Sequence, residues 1–418
     1  MATILLWLFP LLLVASVPVA YAMIGASGIA LFIENKPLAV MAQRLYTPTQ
    51  SFPMLAIPFF ILAGSLMMQG KFGTYLVECA KMFVGRLRGG MCHVSVLGSV
   101  MFGGVSGSAV ADASALGNAL IPIQKKEGYS AGFAGAVNAA SSTVSVLIPP
   151  SIPLILYGLS SNTSIIDLFV AGILPGILLG MGMLLLVWLI AVKRGYKSSP
   201  IEGGFKQWRA QLLHALPAIF MPIFVIGTLR FGIATPTEIS VLAVGYALLI
   251  GLFIYKDLSV KCIIKATIDT GVMTGAVMVI IMASSIIQWI LTLEQVPQNL
   301  AIWVTATISE PWMVILAMNV IMLIVGTFLD LPAAVLLLTP LFSTIAASIG
   351  LDPVQLGLIM VVNLAIGLYT PPVGTTLYIS SSIAKVSIGA VVKELLPFYL
   401  MALGVLALIS YVPSLIIY

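Results

Sequence analysis

The chain has 418 residues, of which 60% are hydrophobic and only 8% charged, with a mean hydropathy of +1.14. A soluble domain carries about 25% charged residues, so a water-facing globule is excluded, and so is an outer-membrane barrel, because alternating ten-residue segments are absent. The net charge of +5 sits in short loops between apolar runs, where it sets orientation in the membrane rather than attracting nucleic acid.

Apolar runs of roughly 20 residues, each able to cross a bilayer core, recur along the chain, which predicts an all-α polytopic protein embedded in lipid. Ile4–Met23 reads as a retained membrane helix, since no Lys or Arg precedes Lys36 to form the basic start of a signal peptide. Pro10, Pro18, Gly25 and Gly28 mark kinks or a break within residues 4–33. After a polar loop and a span over 52–69, residues 71–88 alternate apolar and basic positions at helical spacing. That pattern predicts an interfacial arm on the cytoplasmic side. The linker 193–214 is the most polar stretch and divides the chain. From Ala266 to Ala384 there is no Lys or Arg, only Asp269, Glu294, Glu310, Asp330 and Asp352, so the loops of this region are expected outside. Cys79, Cys92 and Cys262 are scattered and odd in number, and imply neither a disulfide framework nor a metal motif.

The two halves repeat each other. Ile121-Pro122 matches Thr339-Pro340 at a shift of 218, which also places Asp112 on Asp330. Pro149-Pro150 matches Pro371-Pro372 at 222, and Ala63–Ser65 falls near Ala283–Ser285 at 220. The basic arm 71–88 corresponds to about 291–308, which carries Glu294 and no base, so the repeats are expected to be inverted. The first repeat (1–192) would hold the arm, a hairpin over about 91–126 and a broken helix over about 131–161. The second (215–418) would hold scaffold helices at 215–255, an arm at about 291–308, a hairpin at about 312–345 and a broken helix at about 355–384. Paired breaks of this kind point to a transport site near mid-membrane.

Around Gly103, Ser106, Gly107 and Ser108 the sequence suggests an unwound tip, with hydroxyls and freed carbonyls as hard oxygen donors suited to Na⁺. Asn138, Ser141 and Ser142 precede the first Pro-Pro break. Gly326, Thr327, Asn363, Thr370, Gly374, Thr375 and Thr376 surround the second. Pro149, Pro150, Pro371 and Pro372 remove donors and push their predecessors off α geometry. Asp112 and Asp330 are intramembrane acids, candidates for ion or proton coupling or for helix-end stabilisation. Arg230 could meet a carboxylate or simply end a helix. No phosphate-binding loop is present, which excludes a nucleotide motor.

Gly103-Gly-Val-Ser-Gly-Ser-Ala-Val-Ala-Asp-Ala-Ser-Ala-Leu-Gly117, Ile148-Pro-Pro-Ser-Ile-Pro-Leu-Ile-Leu-Tyr-Gly158 and Tyr369-Thr-Pro-Pro-Val-Gly-Thr375 resemble the large membrane subunit of tripartite ATP-independent periplasmic (TRAP) transporters, over essentially the whole chain. The resemblance implies an inverted-repeat, elevator-type fold of the ion-transporter superfamily, with two re-entrant hairpins and separate scaffold and transport domains. It implies Na⁺-coupled import across the bacterial inner membrane of a small carboxylate such as sialic acid or a C4-dicarboxylate. A periplasmic binding protein would deliver that cargo, a separate small four-helix membrane subunit would accompany the chain, and no cofactor beyond the coupling Na⁺ is implied. One Na⁺ site would join the Ser106–Ser108 tip to Asn138–Ser142, and the other Gly326-Thr327 to Thr370–Thr376. Two alternatives are a self-sufficient Na⁺/anion symporter of the same superfamily and an intramembrane serine protease built on Gly104-Val-Ser106-Gly107. The protease lacks a well-placed base, since the only histidines are His93 and His214.

Overall fold

A computed structural model describes residues 1–198 and 205–418. Helices α1 (Ala2–Val14) and α2 (Val19–Ile33) replace the single helix expected over Ile4–Met23. The chain turns at Ser16, with φ of 64°, and Pro18 then precedes α2 with no N–H to continue a helix. Pro10 sits inside α1 without ending it. After α3 (Leu38–Tyr46) and two 3₁₀ turns come α4 (Ala56–Gln69) and the amphipathic α5 (Phe72–Val84). The helical hairpin α6 (Gly90–Ser106) and α7 (Ala109–Lys126) follows, then α8 (Ala131–Ser141), α9 (Ile152–Ser161) and the long α10 (Ile165–Lys193).

Of the polar linker expected over 193–214, residues 199–204 lie outside the described residues, and from Phe205 onward the chain is already helical as the first turns of α11 (Phe205–Arg230). Next come α12 (Pro236–Leu249), started by a capping box between Thr235 and Glu238, and α13 (Val260–Leu293). The second half closes with α14 (Val296–Thr307), the hairpin α15 (Pro311–Gly326) and α16 (Leu331–Ser348), then α17 (Pro353–Gly367), α18 (Thr375–Ala384) and α19 (Ile388–Tyr411). Among the described residues, seven helical segments are long and apolar enough to cross a membrane. Large apolar side chains such as Leu185, Ile223 and Leu400 point outward, as lipid contact requires.

The repeats run in opposite directions. At the end of α4, the Lys71 backbone N–H donates to the carboxylate of Asp257, which lies just before α13. Glu294, just past the end of α13, accepts instead from the Ala2 N–H at 2.7 Å, at the other end of the molecule. Equivalent helices therefore finish on opposite sides. Helices α2, α4, α12 and α13 pack together as a scaffold, while the hairpins, the broken helices, α10 and α19 form a second body. Within that body the repeats interlock reciprocally: α7 packs on α18, and α16 packs on α9. Asn138 Nδ2 crosses between them to Ser380 Oγ at 2.9 Å. The architecture is all-α among the described residues and built of two inverted repeats.

The packing also corrects the register read from the sequence. Ser99 donates to Ser141 at 3.0 Å, and the equivalent crossing is Asn363 Nδ2 to Asn319 Oδ1 at 2.8 Å, so α6 and α15 align at a shift of 220. Gly117 packs against Asn138, and Thr339 meets Met360 in the same way, so α7 and α16 align at 222. Asp330 is the N-cap of α16 and matches Ser108, the N-cap of α7. Asp112, the fourth residue of α7, has Ala334 as its counterpart rather than Asp330. The motif match at 218 is four residues, about one helical turn, out of the helix register; the second hairpin's loop is longer by two residues, which accounts for the step from 220 to 222.

Candidate transport site

Each hairpin tip rests on the break of its own repeat. At the first, Gly107 turns with φ of 56°, and a Cβ there would collide with the Pro150 carbonyl. Gly103 lies against Ser145 at the same contact. Ser106 Oγ accepts from the Ser108 N–H at 3.4 Å, and Ser108 Oγ accepts from the Ala111 N–H at 3.4 Å, starting α7. The facing helix leaves α geometry well before the prolines: α8 stops at Ser141 and gives way to a 3₁₀ turn over Ser142–Val146. Both Pro-Pro bonds are cis.

At the second tip, Gly326 touches Gly367, and the Val373 N–H donates to the Thr327 carbonyl at 3.2 Å. Gly374, with φ of 36°, leads into α18. Thr376 Oγ1 reaches the Leu368 carbonyl at 2.9 Å and, across the repeats, the Ala139 carbonyl at 3.2 Å. Thr375 Oγ1 and Asn363 Oδ1 are buried without a hydrogen-bond partner. Such oxygens, beside backbone carbonyls loosened by the breaks, are the donor set a hard monovalent cation takes.

The structure brings some candidates together and separates others. Ser108 and Asp330, from opposite repeats, line one cavity of about 220 Å³, closed on the scaffold side by Ile61, Met273 and Val277. The first residues of α7, α9 and α16, namely Ala109, Ile152 and Leu331, also line it. Helix starts present free N–H groups, which suits an anion, although at α16 Asp330 already supplies a negative group. Thr327 and Thr370 instead line an apolar groove of about 420 Å³ on the far side of the second hairpin, with Phe328 and Tyr399. Their hydroxyls bond carbonyls of their own helices, Ile324 and Ile366, at 2.7 Å each. Asn138 and Ser142 are likewise engaged, with Asn138 bonding the Ala113 carbonyl at 2.9 Å and Ser142 the Ala139 carbonyl at 3.0 Å. Arg230 ends α11, is exposed, and does not line the cavity.

Asp112 is fully buried, and neither carboxyl oxygen has a partner. Ser99 lies beside it but gives its hydrogen to Ser141. Sequence reasoning found Asp112 but missed Ser99, because a lone Ser in an apolar helix carries no signal until its neighbour across the hairpin is known. It also missed a larger cavity of about 700 Å³ that runs from Ser106 and Ser108 along α4, α7 and α13.

A scaffold, a second body with two tips and two breaks, and a cavity shared between repeats define a membrane transporter. The sequence profile described as "Tripartite ATP-independent periplasmic transporter, DctM component" matches residues 5–415. The chain is 34% identical over 393 residues to the C4-dicarboxylate TRAP transporter large permease protein DctM of Pseudomonas aeruginosa, covering 94% of this chain and 92% of that one. It is 34% identical over 404 residues to the sialic acid TRAP transporter large permease protein SiaM of Vibrio cholerae, covering 96% and 94%. In fold it is similar to the YdaH transporter of Alcanivorax borkumensis, with a TM-score of 0.63 at 15% identity, covering 90% of this chain and 89% of that one. The chain belongs to the large-permease family of TRAP transporters. It is a multi-pass transport permease and not an enzyme. Large permeases of this family work with a small membrane subunit and a periplasmic binding protein.

Proposed function

We propose that the protein imports a small organic acid across the bacterial inner membrane, driven by Na⁺ and supplied by a periplasmic binding protein, with a small membrane subunit beside it. The observation that carries this reading is the shared cavity: Ser108 and Asp330 face it from opposite repeats, and helix starts suited to a carboxylate open onto it. The relatives' cargoes, C4-dicarboxylate and sialic acid, are both carboxylates. Na⁺ would be held where each tip meets its break, by Ser106, Ser108 and carbonyls near Ser145 in one repeat and by Thr375, Asn363 and carbonyls near Leu368 in the other. Asp112, buried and unpartnered, is the natural acid to couple to a cation.

In this reading the body bearing both hairpins moves against the scaffold and carries cargo and Na⁺ together. Lys71 meets Asp257 where α4 finishes, with Lys256 and Lys261 close by in sequence, and we take this as the cytoplasmic end. Reconstitution in liposomes tests the proposal. Uptake of a labelled carboxylate should require an inward Na⁺ gradient, the small subunit and loaded binding protein. Uptake by this chain alone would establish a self-sufficient symporter, and uptake indifferent to Na⁺ would remove the coupling claim.

A further inference from the structure

The larger cavity has a feature that the hairpin tips do not explain. From the tip at Ser106 and Ser108 it passes Ser114 and Asn118 on α7 and ends at Lys265 on α13, one turn beyond Asp269. Among the described residues lining it, Lys265 is the only base. Among the described residues, neither Lys265 nor Asp269 is within ion-pair distance of an opposite charge. A Lys near a helix end often anchors at the lipid interface. Lys265, the sixth residue of α13, instead opens onto a passage between the scaffold and the second body that Ser65, Gln69, Ser114 and Asn118 also line.

Building on the proposed import of a carboxylate, we propose that this passage is the release path and that Lys265 is the positioning residue that draws the cargo's carboxylate off the hairpin tips. The α13 helix runs inward from the basic end, so anything leaving the tips meets Met273 and Val272, then Asp269, then Lys265. Asp269 gives a departing Na⁺ a first stop, and Lys265 gives the anion its own just beyond. Because α13 belongs to the scaffold, both charges stay in place while the hairpins move. The cargo is thereby handed to a stationary partner. Ser114 and Asn118 on the opposite wall are neutral donors and acceptors that would suit a hydroxylated or dicarboxylic chain.

Two measurements decide this, and they fail independently of each other. In full-length protein freed of Cys79, Cys92 and Cys262 and held in lipid nanodiscs, Ser114→Cys is modified by anionic sulfonatoethyl and cationic aminoethyl methanethiosulfonates. At low ionic strength, attraction across about 8 Å of water would change the local concentration of a singly charged reagent about 2.4-fold. Adding Lys265→Gln should therefore lower the anion-to-cation rate ratio about sixfold, while Lys265→Arg keeps it. An unchanged ratio overturns the claim that Lys265 draws anions. In liposomes with the small subunit and loaded binding protein, Lys265→Gln should slow maximal uptake several-fold, leave the half-saturating Na⁺ concentration unaltered, and be rescued by Lys265→Arg. Wild-type maximal rates in Lys265→Gln overturn the release role. If wild-type protein carries no carboxylate, the import proposal falls, and the labelling ratio still decides whether this passage is an anion path.

Discussion

Gln288 Nε2 donates to the Leu336 carbonyl at 3.0 Å, joining the scaffold helix α13 to the hairpin helix α16. The same amide reaches Ser160 Oγ on α9 at 3.4 Å. Both contacts lie toward the end of the molecule away from Lys265, so the scaffold and the second body are bridged there, while the larger cavity lies between them nearer Lys265. Removing the amide should loosen the closed end. A net hydrogen bond is worth about 1 kcal/mol, so Gln288→Ala should raise the population open on that side about fivefold. The readout is labelling of Ser160→Cys by an impermeant thiol reagent, and equal rates with and without Gln288 would show that the bridge holds nothing shut.

Ser108 has two possible duties, capping α7 and binding Na⁺, and two substitutions separate them. Ala at an N-cap costs about 1 kcal/mol, whereas Gly costs only a few tenths. Ser108→Gly should therefore preserve thermal stability yet move the Na⁺ dependence of uptake to higher concentration, with near-normal maximal rate. A wild-type Na⁺ curve in Ser108→Gly would leave Ser108 with the cap alone. Thr327→Ala should do less, since its hydroxyl is committed to the Ile324 carbonyl.

Asp112→Asn should abolish Na⁺-driven uptake without lowering the unfolding temperature. Among the described residues only Ser99 lies beside the buried carboxyl, so replacing it with a neutral amide of the same shape chiefly removes a desolvation cost and leaves that neighbour in place. A drop in unfolding temperature of several degrees would mean that Asp112 holds the fold through a contact, and retained Na⁺ dependence would remove it from coupling.

Gly107→Ala should destabilise the purified protein and stop transport, because φ of 56° costs an L-residue about 1–2 kcal/mol and the new methyl meets the Pro150 carbonyl. Gly128→Ala is the control. Gly128 has φ of 91° but nothing within 4 Å, so it bears the backbone strain alone and uptake should survive. Similar loss of uptake in both variants would show that backbone strain, and not the contact between tip and break, is what matters.

Much of this architecture was legible in the sequence because its unusual points are chemically loud. Pro149-Pro150 and Pro371-Pro372 interrupt helices wherever they stand, and Gly107 and Gly374 occupy turns that demand φ above zero. The register of the second hairpin was not legible. Matching Asp112 to Asp330 follows residue identity, whereas the structure aligns positions by their place in the helix, and Ser108 and Asp330 share an N-cap without sharing a side chain. Nor could the sequence pair Ser99 with Ser141 or Asn363 with Asn319. Helices surrounded by lipid on one side and protein on the other are apolar all round, so periodicity does not say which face turns inward. Lys265 was read as part of a basic loop because charge alone marks a membrane edge, and only packing shows that this edge borders a passage.

The reciprocal packing of α7 on α18 and of α16 on α9 also governs how the chain must be made. Asn138 is 242 residues ahead of Ser380, its partner. At roughly 5–20 residues per second, the ribosome takes roughly 12–50 s to travel between them. Throughout that interval the first half sits in the bilayer with Asn138 short of one acceptor and the face of α7 that α18 will cover still open. A quality-control protease that samples membrane proteins during synthesis would meet a half-built core in every copy, so this permease depends on how long its first half can wait.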